Sequence, residues 1–381
     1  MATGAPHGRI APAAAGGEDG STSPGVPADA LLGRPAFVVE AGPFTDYLAG
    51  TVVAVTGAAG SVGGALSKRL ARLAVRELVL IDQSEAGLVD LARELEQDGA
   101  GARVTPVLAD IRNRPRIASV LARHRPEVVF HAAAYKQVPL LEDSPAEAVA
   151  VNVLGTEAIV DAACAASVRR FVLFSTDKAV HPTNVLGQTK AIGEWIVAGA
   201  AHGAAHVRFA AIRLGNVADS AGSILPVLRR QVANGGPVTI THPDVTRFLM
   251  TVDEAVSLAL LAGAFADSAS IYWLDLRPAV RIVDLVRRLA GDAAGRVPIE
   301  FIGLRPGERI SERLVWEDDT VEPTLSDRVF RSPLRGVPGE RLEACLAELG
   351  RQVERASAPG IRAVLAELHV APDASPATAG R

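Results

Sequence analysis

Val52-Val53-Ala54-Val55-Thr56-Gly57-Ala58-Ala59-Gly60-Ser61-Val62-Gly63 joins a β-branched run to a turn with three glycines and the opening of an amphipathic segment. A strand that ends in G-x-x-G-x-x-G and runs straight into a helix forms a tight turn. Backbone can then approach a ligand closely, and the helix N-terminus faces a pyrophosphate. Gly57, Gly60, Ser61, Val62 and Gly63 are the contacts this reading expects. Five further runs repeat the strand signal: ELVLID from Glu77, RVTPVLAD from Arg103, EVVFHAAA from Glu127, RFVLFST from Arg170 and RFAAIRLG from Arg208. Each is short and mostly apolar, as expected of strands covered by helices on both faces. The segments after Ser61, Glu85, Asn113, Pro145, Asn184 and Ser223 read as the intervening helices. The alternation predicts an α/β fold, a Rossmann-type doubly wound parallel sheet.

Residues 1–29 are rich in Ala, Gly, Pro and Ser and are expected to be disordered. Residues 30–50 read as an N-terminal arm and 51–220 as the Rossmann core. Beyond about Ala221 the alternation fades into turns, short strands and a helix at Ile282–Leu289. Residues 221–325 therefore read mainly as a smaller substrate-binding lobe. Residues 326–381 read as C-terminal helices, over Glu340–Leu365, and a frayed tail.

Net charge is -4, with arginines and lysines scattered. No basic stripe points to nucleic acid or to an anionic membrane surface. Mean hydropathy is +0.22, a consequence of abundant Ala, Val and Leu. No uninterrupted apolar run reads as a membrane span, and no secretory signal opens the chain. Cys164 and Cys345 lie far apart without metal-ligand spacing. They fit small core residues in a reducing cytoplasm, with no disulfide framework and no metal site.

Asp82 ends the second strand, where a carboxylate binds a ribose 2′-hydroxyl and repels a 2′-phosphate. No arginine follows it, so NAD is favoured over NADP. Asp82 also reads as a helix N-cap, as does Asp110 at the end of the third strand. Asp110 is alternatively a partner for an adenine amino group. The fifth strand closes on Ser175-Thr176-Asp177-Lys178, at the sheet edge where doubly wound folds bind ligands, or as a solvated ion pair. Lys190 stands on the next helix, with Leu186 one turn before it on the same face. His131 reads as a satisfied core histidine.

TGAAGSVGGAL, HAAAYKQVPLLEDSP, NVLGTE, FSTDKAVHPTNVLGQTK, IRLGNVADSAGS, GGPVTITHPDVTRFLMT and RPGERISE together resemble one family. It is the nucleotide-sugar 4,6-dehydratases of the polysaccharide-biosynthesis type, within the extended short-chain dehydrogenases. The resemblance runs from about Asp29 to the C-terminal helices. ALLGRPAFVVE looks like the linker that joins a membrane domain to the catalytic domain in larger members, and no such domain is expected here.

The resemblance implies that NAD removes a hydride from C4 of the sugar and returns it to C6. Lys178 takes the C5 proton, Asp177 protonates the departing C6 hydroxyl, Thr176 binds the C4 oxygen and Lys190 holds the nicotinamide ribose. Lys178 then needs a lowered pKa, and Asp177 a desolvated site. Ser84, Ile111, Ala133 and Ser175 complete the implied cofactor contacts. Lys136, Leu186, Asn216, Arg247, Arg305 and Glu308 line the implied substrate site, with both arginines suited to a diphosphate. Relatives carry Tyr or Met where this chain has Leu186, and Leu transfers no proton. Thr176 or an ordered water is then the candidate relay. The loop Asn216-Val217-Ala218-Asp219-Ser220 departs from the family's usual leucine-glycine pair. The expected substrate is UDP-N-acetylglucosamine or a related UDP-sugar, inverted at C5, and the expected assembly a homo-oligomer. A nucleotide-sugar 4-epimerase and a non-catalytic NAD sensor are the alternatives.

Overall fold

In a computed structural model, residues 28–369 are described, apart from 40, 41, 43, 167 and 268. The expectations for residues 1–27 and for the last dozen residues lie outside the described residues. The arm carries α1 (Ala28–Leu32) and α2 (Phe44–Leu48). The alternating core follows: β1 (Val52–Thr56), α3 (Ser61–Ala71), β2 (Glu77–Asp82), α4 (Glu85–Gln97), β3 (Arg103–Leu108), α5 (Arg114–His124) and β4 (Val128–His131). Next come α6 (Val138–Asp143), α7 (Pro145–Val149), a π turn over Ala150–Gly155, α8 (Thr156–Ala165), β5 (Arg170–Thr176), α9 (Val185–Gly203) and β6 (Arg208–Leu214).

Beyond β6 the strands are short: β7 (Asn216–Val217), then α10 (Ile224–Ala233), β8 (Val238–Ile240), β9 (Thr246–Arg247) and β10 (Leu249–Met250). They continue with α11 (Val252–Phe265), β11 (Ser270–Leu274), β12 (Val280–Arg281), α12 (Ile282–Ala290), β13 (Ile299–Phe301), β14 (Glu322–Pro323) and β15 (Val329–Pro333). Helices α13 (Gly339–Glu354) and α14 (Ala358–His369) end the described chain.

The main sheet has nine strands in the order β14-β15-β11-β6-β5-β4-β1-β2-β3. Strands β1 to β6 and β11 run parallel, while β15 returns antiparallel along β11. All six expected strands are present, on the expected Rossmann-type sheet. One expectation fails: β3 is not buried on both faces. It is the edge strand, and Leu108 on it is 52% exposed, because β3 has a neighbour only on the β2 side. The sheet also reaches past Ser220. Helix α11 packs on it, and β11 and β15 join it from the regions read as lobe and C-terminal tail.

A second core gathers Leu225, Leu228, Val238, Ile240, Ile282 and Leu285. The arm ties the two cores together. Leu31 and Leu32 enter the second, and Phe37, Phe44 and Leu48 the first. Between them Arg34 reaches the fully buried Glu254, with Nη1 to Oε1 at 2.5 Å and Nη2 to Oε2 at 3.0 Å. The Phe37 amide donates to the same carboxylate at 2.9 Å. A lone buried charge would be costly, so arm and α11 hold each other.

One helical run, Pro145–Ala165, is long and apolar enough by length and composition to cross a membrane, although Glu147, Glu157 and Asp161 interrupt it. Its α7, π turn and α8 stack into one rod, and 72% of its apolar window is buried inside the protein, between α5 and α9. Both cysteines are free thiols, and burial pushes Cys345 up to about 11.

Candidate active site

A cleft of about 630 Å³ runs from the β1–α3 turn, across the ends of β5 and β6, to the small lobe. That size suits a small ligand. At one end the cleft is walled by backbone. Gly57 has φ +66°, and a Cβ on it would lie 2.6 Å from the Ala133 nitrogen. A Cβ on Gly63 would lie 2.1 Å from the Gly57 oxygen. Only glycine permits this close packing, which brings the α3 N-terminus to the cleft beside Gly60, Ser61 and Val62. No side chain caps α3, so its first amides remain available to an anion. These residues fit a dinucleotide.

Asp82 braces that turn, since its Oδ2 accepts from the Ala59 amide at 3.0 Å and its Oδ1 from the Ser84 amide at 2.9 Å. It does not cap α4; Ser84 does, accepting from the Gly87 amide at 3.2 Å. Likewise Asn113, not Asp110, caps α5. Asp110 instead grips Arg112, whose Nε donates to Oδ2 at 2.8 Å, and this pairing holds its carboxyl below the usual range. Ile111 is buried and packs against Gly155. Asp82, Ser84, Asp110, Ile111 and Ala133 do not line the cleft.

His131 lies fully buried between the Thr56 and Thr156 hydroxyls, at 2.7 and 3.0 Å. Burial, with Lys190 nearby, pulls it down to about 3, so it is neutral. It is the core histidine expected.

The other end of the cleft is walled by side chains. Thr176 closes β5, and its hydroxyl donates to Asp177 Oδ1 at 3.0 Å. Lys178 Nζ donates to the same Oδ1 at 2.9 Å and to Asn216 Oδ1 at 3.2 Å. Asp177 is fully buried, and its Oδ2 has no partner among the described residues. Ser175 lines the cleft, and its hydroxyl donates to Glu194 Oε1 at 2.5 Å. Arg213 holds that buried carboxylate through Nη2 at 2.7 Å.

Lys190 is buried on α9, and burial draws it down to about 8 against the pull of Glu194 one turn on. Leu186 stands one turn before it, 6% exposed, as an apolar wall of the cleft. Lys136 donates to Ser220 Oγ at 3.1 Å, and burial lowers its pKa.

On the small-lobe side, Arg247 is 7% exposed. It donates through Nη1 to the Thr246 and Ile310 carbonyls at 2.8 and 3.2 Å, and through Nη2 to Glu308 Oε1 at 3.2 Å. Glu308 also takes the Thr241 hydroxyl at 2.9 Å and the Arg305 amide at 3.2 Å, which fixes the turn. The Arg305 side chain is exposed at the rim.

Sequence reasoning missed Glu312, which lines the same cleft with a side chain 2% exposed, its Oε1 3.7 Å from Lys178 Nζ. One signal for the site went unused. The chain has four lysines among 39 lysines and arginines. Three of them, Lys136, Lys178 and Lys190, line this cleft, while Lys68 pairs on the surface with Glu94. Arginine serves wherever a permanent charge suffices, and lysine remains where a cation can lose its proton. Among the described residues no His, Cys, Asp and Glu group is arranged to hold a metal.

The glycine turn, the strand-end polar cluster and the paired Leu186 and Lys190 on α9 define a protein of the extended short-chain dehydrogenase type. The chain belongs to the polysaccharide biosynthesis protein family, whose profile matches residues 53–333.

Among curated relatives, the capsular polysaccharide biosynthesis protein CapD of Staphylococcus aureus is 37% identical over 305 residues, 79% of this chain and 51% of that one. A UDP-glucose 4-epimerase of Rickettsia canadensis is 34% identical over 288 residues, 74% of this chain and 82% of that one. The chain thus spans about half the length of CapD. Among solved structures, Pen from Bacillus thuringiensis superposes with a TM-score of 0.69 at 29% identity, covering 75% of this chain and 90% of Pen. More distant solved structures, at 20% and 22% identity, share the fold, and four of them hold NAD.

Proposed function

We propose that the protein is an NAD-dependent nucleotide-sugar 4,6-dehydratase acting on UDP-N-acetylglucosamine or a related UDP-sugar, with inversion at C5. The observation that carries this reading is the linked set Thr176 Oγ1, Asp177 and Lys178 Nζ at the end of β5, beside Leu186. The Gly57–Gly63 turn would hold NAD, which would supply reversible hydride acceptance. Asp82 favours NAD over NADP, because a carboxylate at the end of β2 repels a 2′-phosphate.

The hydroxyl of Thr176 gives the C4 proton a path to Asp177, so no phenol is needed at position 186. Asp177, once protonated in its buried setting, delivers that proton to the C6 oxygen as water departs. The proton collected at C4 is therefore the one spent at C6. Lys178 receives the C5 proton and returns it to C5. Leu186 keeps water from the 4-keto sugar. Arg247, held rigid by Glu308 and two carbonyls, and Arg305 at the rim suit the two phosphates of the substrate.

A 4-epimerase is the second reading, favoured by the Rickettsia relative's name. An epimerase has no use for an acid–base pair at C5 and C6, and the buried Asp177–Lys178 pair argues against it. The test is incubation of the full chain with NAD and UDP-N-acetylglucosamine or UDP-glucose, followed by mass spectrometry. Dehydration removes the mass of one water, epimerisation leaves the mass unchanged, and a sensor leaves the substrate untouched.

A further inference from the structure

The proposed reaction needs Lys178 as a free amine when the C5 proton leaves. Its Nζ nevertheless faces two carboxylates, Asp177 at 2.9 Å and Glu312 at 3.7 Å. Asp177 must collect the proton from C4, so it cannot also relieve Lys178. Glu312 is the remaining acceptor. Its Oε2 is buried with no hydrogen-bond partner among the described residues. The charged groups that face it are Lys178, Asp177, Arg247 and Arg309, the last with Nη1 at 3.5 Å from Oε2. Burial pushes its carboxyl above the usual range; Lys178 pulls the other way, Asp177 reinforces the rise, and Arg247 and Arg309 oppose it. A carboxylate so placed accepts a proton more readily than one in water.

We propose that Glu312 is a positioning residue that takes the proton of Lys178 and so frees the amine for C5. The proposal rests on the dehydratase reading. An N–H bond of the Lys178 ammonium breaks and an O–H bond forms on Glu312. The Lys178 amine then takes the C5 proton while Asp177 gives its own to the C6 oxygen, and water leaves. When Lys178 later returns its proton to C5, Glu312 hands back the stored one. Asp177 and Glu312 end as carboxylates and Lys178 as an ammonium, as they began. The cleft closes its proton account internally, without exchange with solvent between steps.

Because the shared proton stays in the Lys178–Glu312 pair, kcat of the wild type is flat with pH around neutrality. Glu312→Gln keeps the shape but accepts no proton, so Lys178 must release its proton to solvent. The expected result is a kcat about ten- to a hundredfold lower, rising about tenfold per pH unit, with KM unchanged. Glu312→Asp should restore the flat profile. A Glu312→Gln enzyme with wild-type kcat and a flat profile overturns the proposal.

A second readout separates this from the dehydratase reading itself. With the few lysines carbon-13-methylated and Lys178 assigned through Lys178→Arg, its titration is followed by NMR in the NAD-bound protein. Loss of the facing carboxylate in Glu312→Gln should move the Lys178 titration to lower pH. An unchanged titration overturns the coupling whether or not any nucleotide sugar is turned over. Absence of dehydrated product in the wild type, with the titration shifted, sinks the reaction assignment and leaves the coupling standing.

Discussion

The two ends of the cleft are built in opposite ways. At the Gly57–Gly63 turn the wall is backbone and absent side chains, assembled within a dozen consecutive residues. At the β5 end it is a set of charged and polar side chains, Lys178, Asn216, Arg247 and Glu312, drawn from strands and loops between residues 178 and 312. The first end works by steric exclusion and needs only β1, the turn and α3, packed on the Ala133 backbone and braced by Asp82. The second works by balancing charge out of water, and no part of it functions alone. Substitutions at the first should therefore change affinity for the cofactor, and substitutions at the second should change rate.

Lys178→Ala should show the largest effect. Loss of a positioned base costs roughly 10²–10⁴ in rate, so kcat should fall by that factor while the NAD titration is unchanged. Equal losses in rate and NAD affinity would mean that the two ends do not act separately.

This contrast also explains what could be read in the sequence. The turn and six strands were legible because they are local: a β-branched run, three glycines and a helical period leave their mark within one window. That β3 lies at the sheet edge was not legible, because an edge is a property of the neighbours a strand lacks. The apolar run Ser270–Leu274 sits where the alternation had faded, and only β6 on one side and β15 on the other bring it into the sheet. The cap reading of Asp82 and Asp110 failed because Ser84 and Asn113 stand closer to the helix starts. Thr176, Asp177, Lys178 and Leu186 were placed through family likeness; Thr176, Lys178 and Leu186 line the cleft, and Asp177 is buried against Thr176 and Lys178. Glu312 carries no local mark, since a glutamate in a turn-rich segment looks like any solvated acid until the fold sets it against Lys178.

Gly63→Ala should come next in size. The added carbon would overlap the Gly57 oxygen, and strain of roughly 1–3 kcal/mol corresponds to about a ten- to hundredfold loss of NAD affinity. Isothermal titration with NAD measures it. At saturating NAD the variant should regain most of the wild-type kcat, and a kcat that stays low would place the glycine turn in the chemistry as well as in binding.

The smallest expected effect is at Leu186. Met has a similar volume and is equally apolar, so Leu186→Met should change kcat by less than about threefold. Initial rates of 4-keto-6-deoxy product formation decide this. If the wild type were inert on a panel of nucleotide sugars and Leu186→Tyr restored turnover, Leu186 would mark a lost activity, and the Thr176 to Asp177 path would not carry the C4 proton.

The central claim is that the charged end of the cleft removes and returns a proton at C5 while water leaves from C6. The most direct measurement is the reaction of UDP-N-acetylglucosamine with the full chain and NAD in deuterium oxide, with the product analysed by mass and by NMR at C5. The account predicts a product lighter by one water with deuterium at C5 in much of it, because the Lys178 amine that takes the C5 proton already carries two deuterons and can return any of the three. A product of unchanged mass that is altered only at C4 would contradict it and make the protein an epimerase.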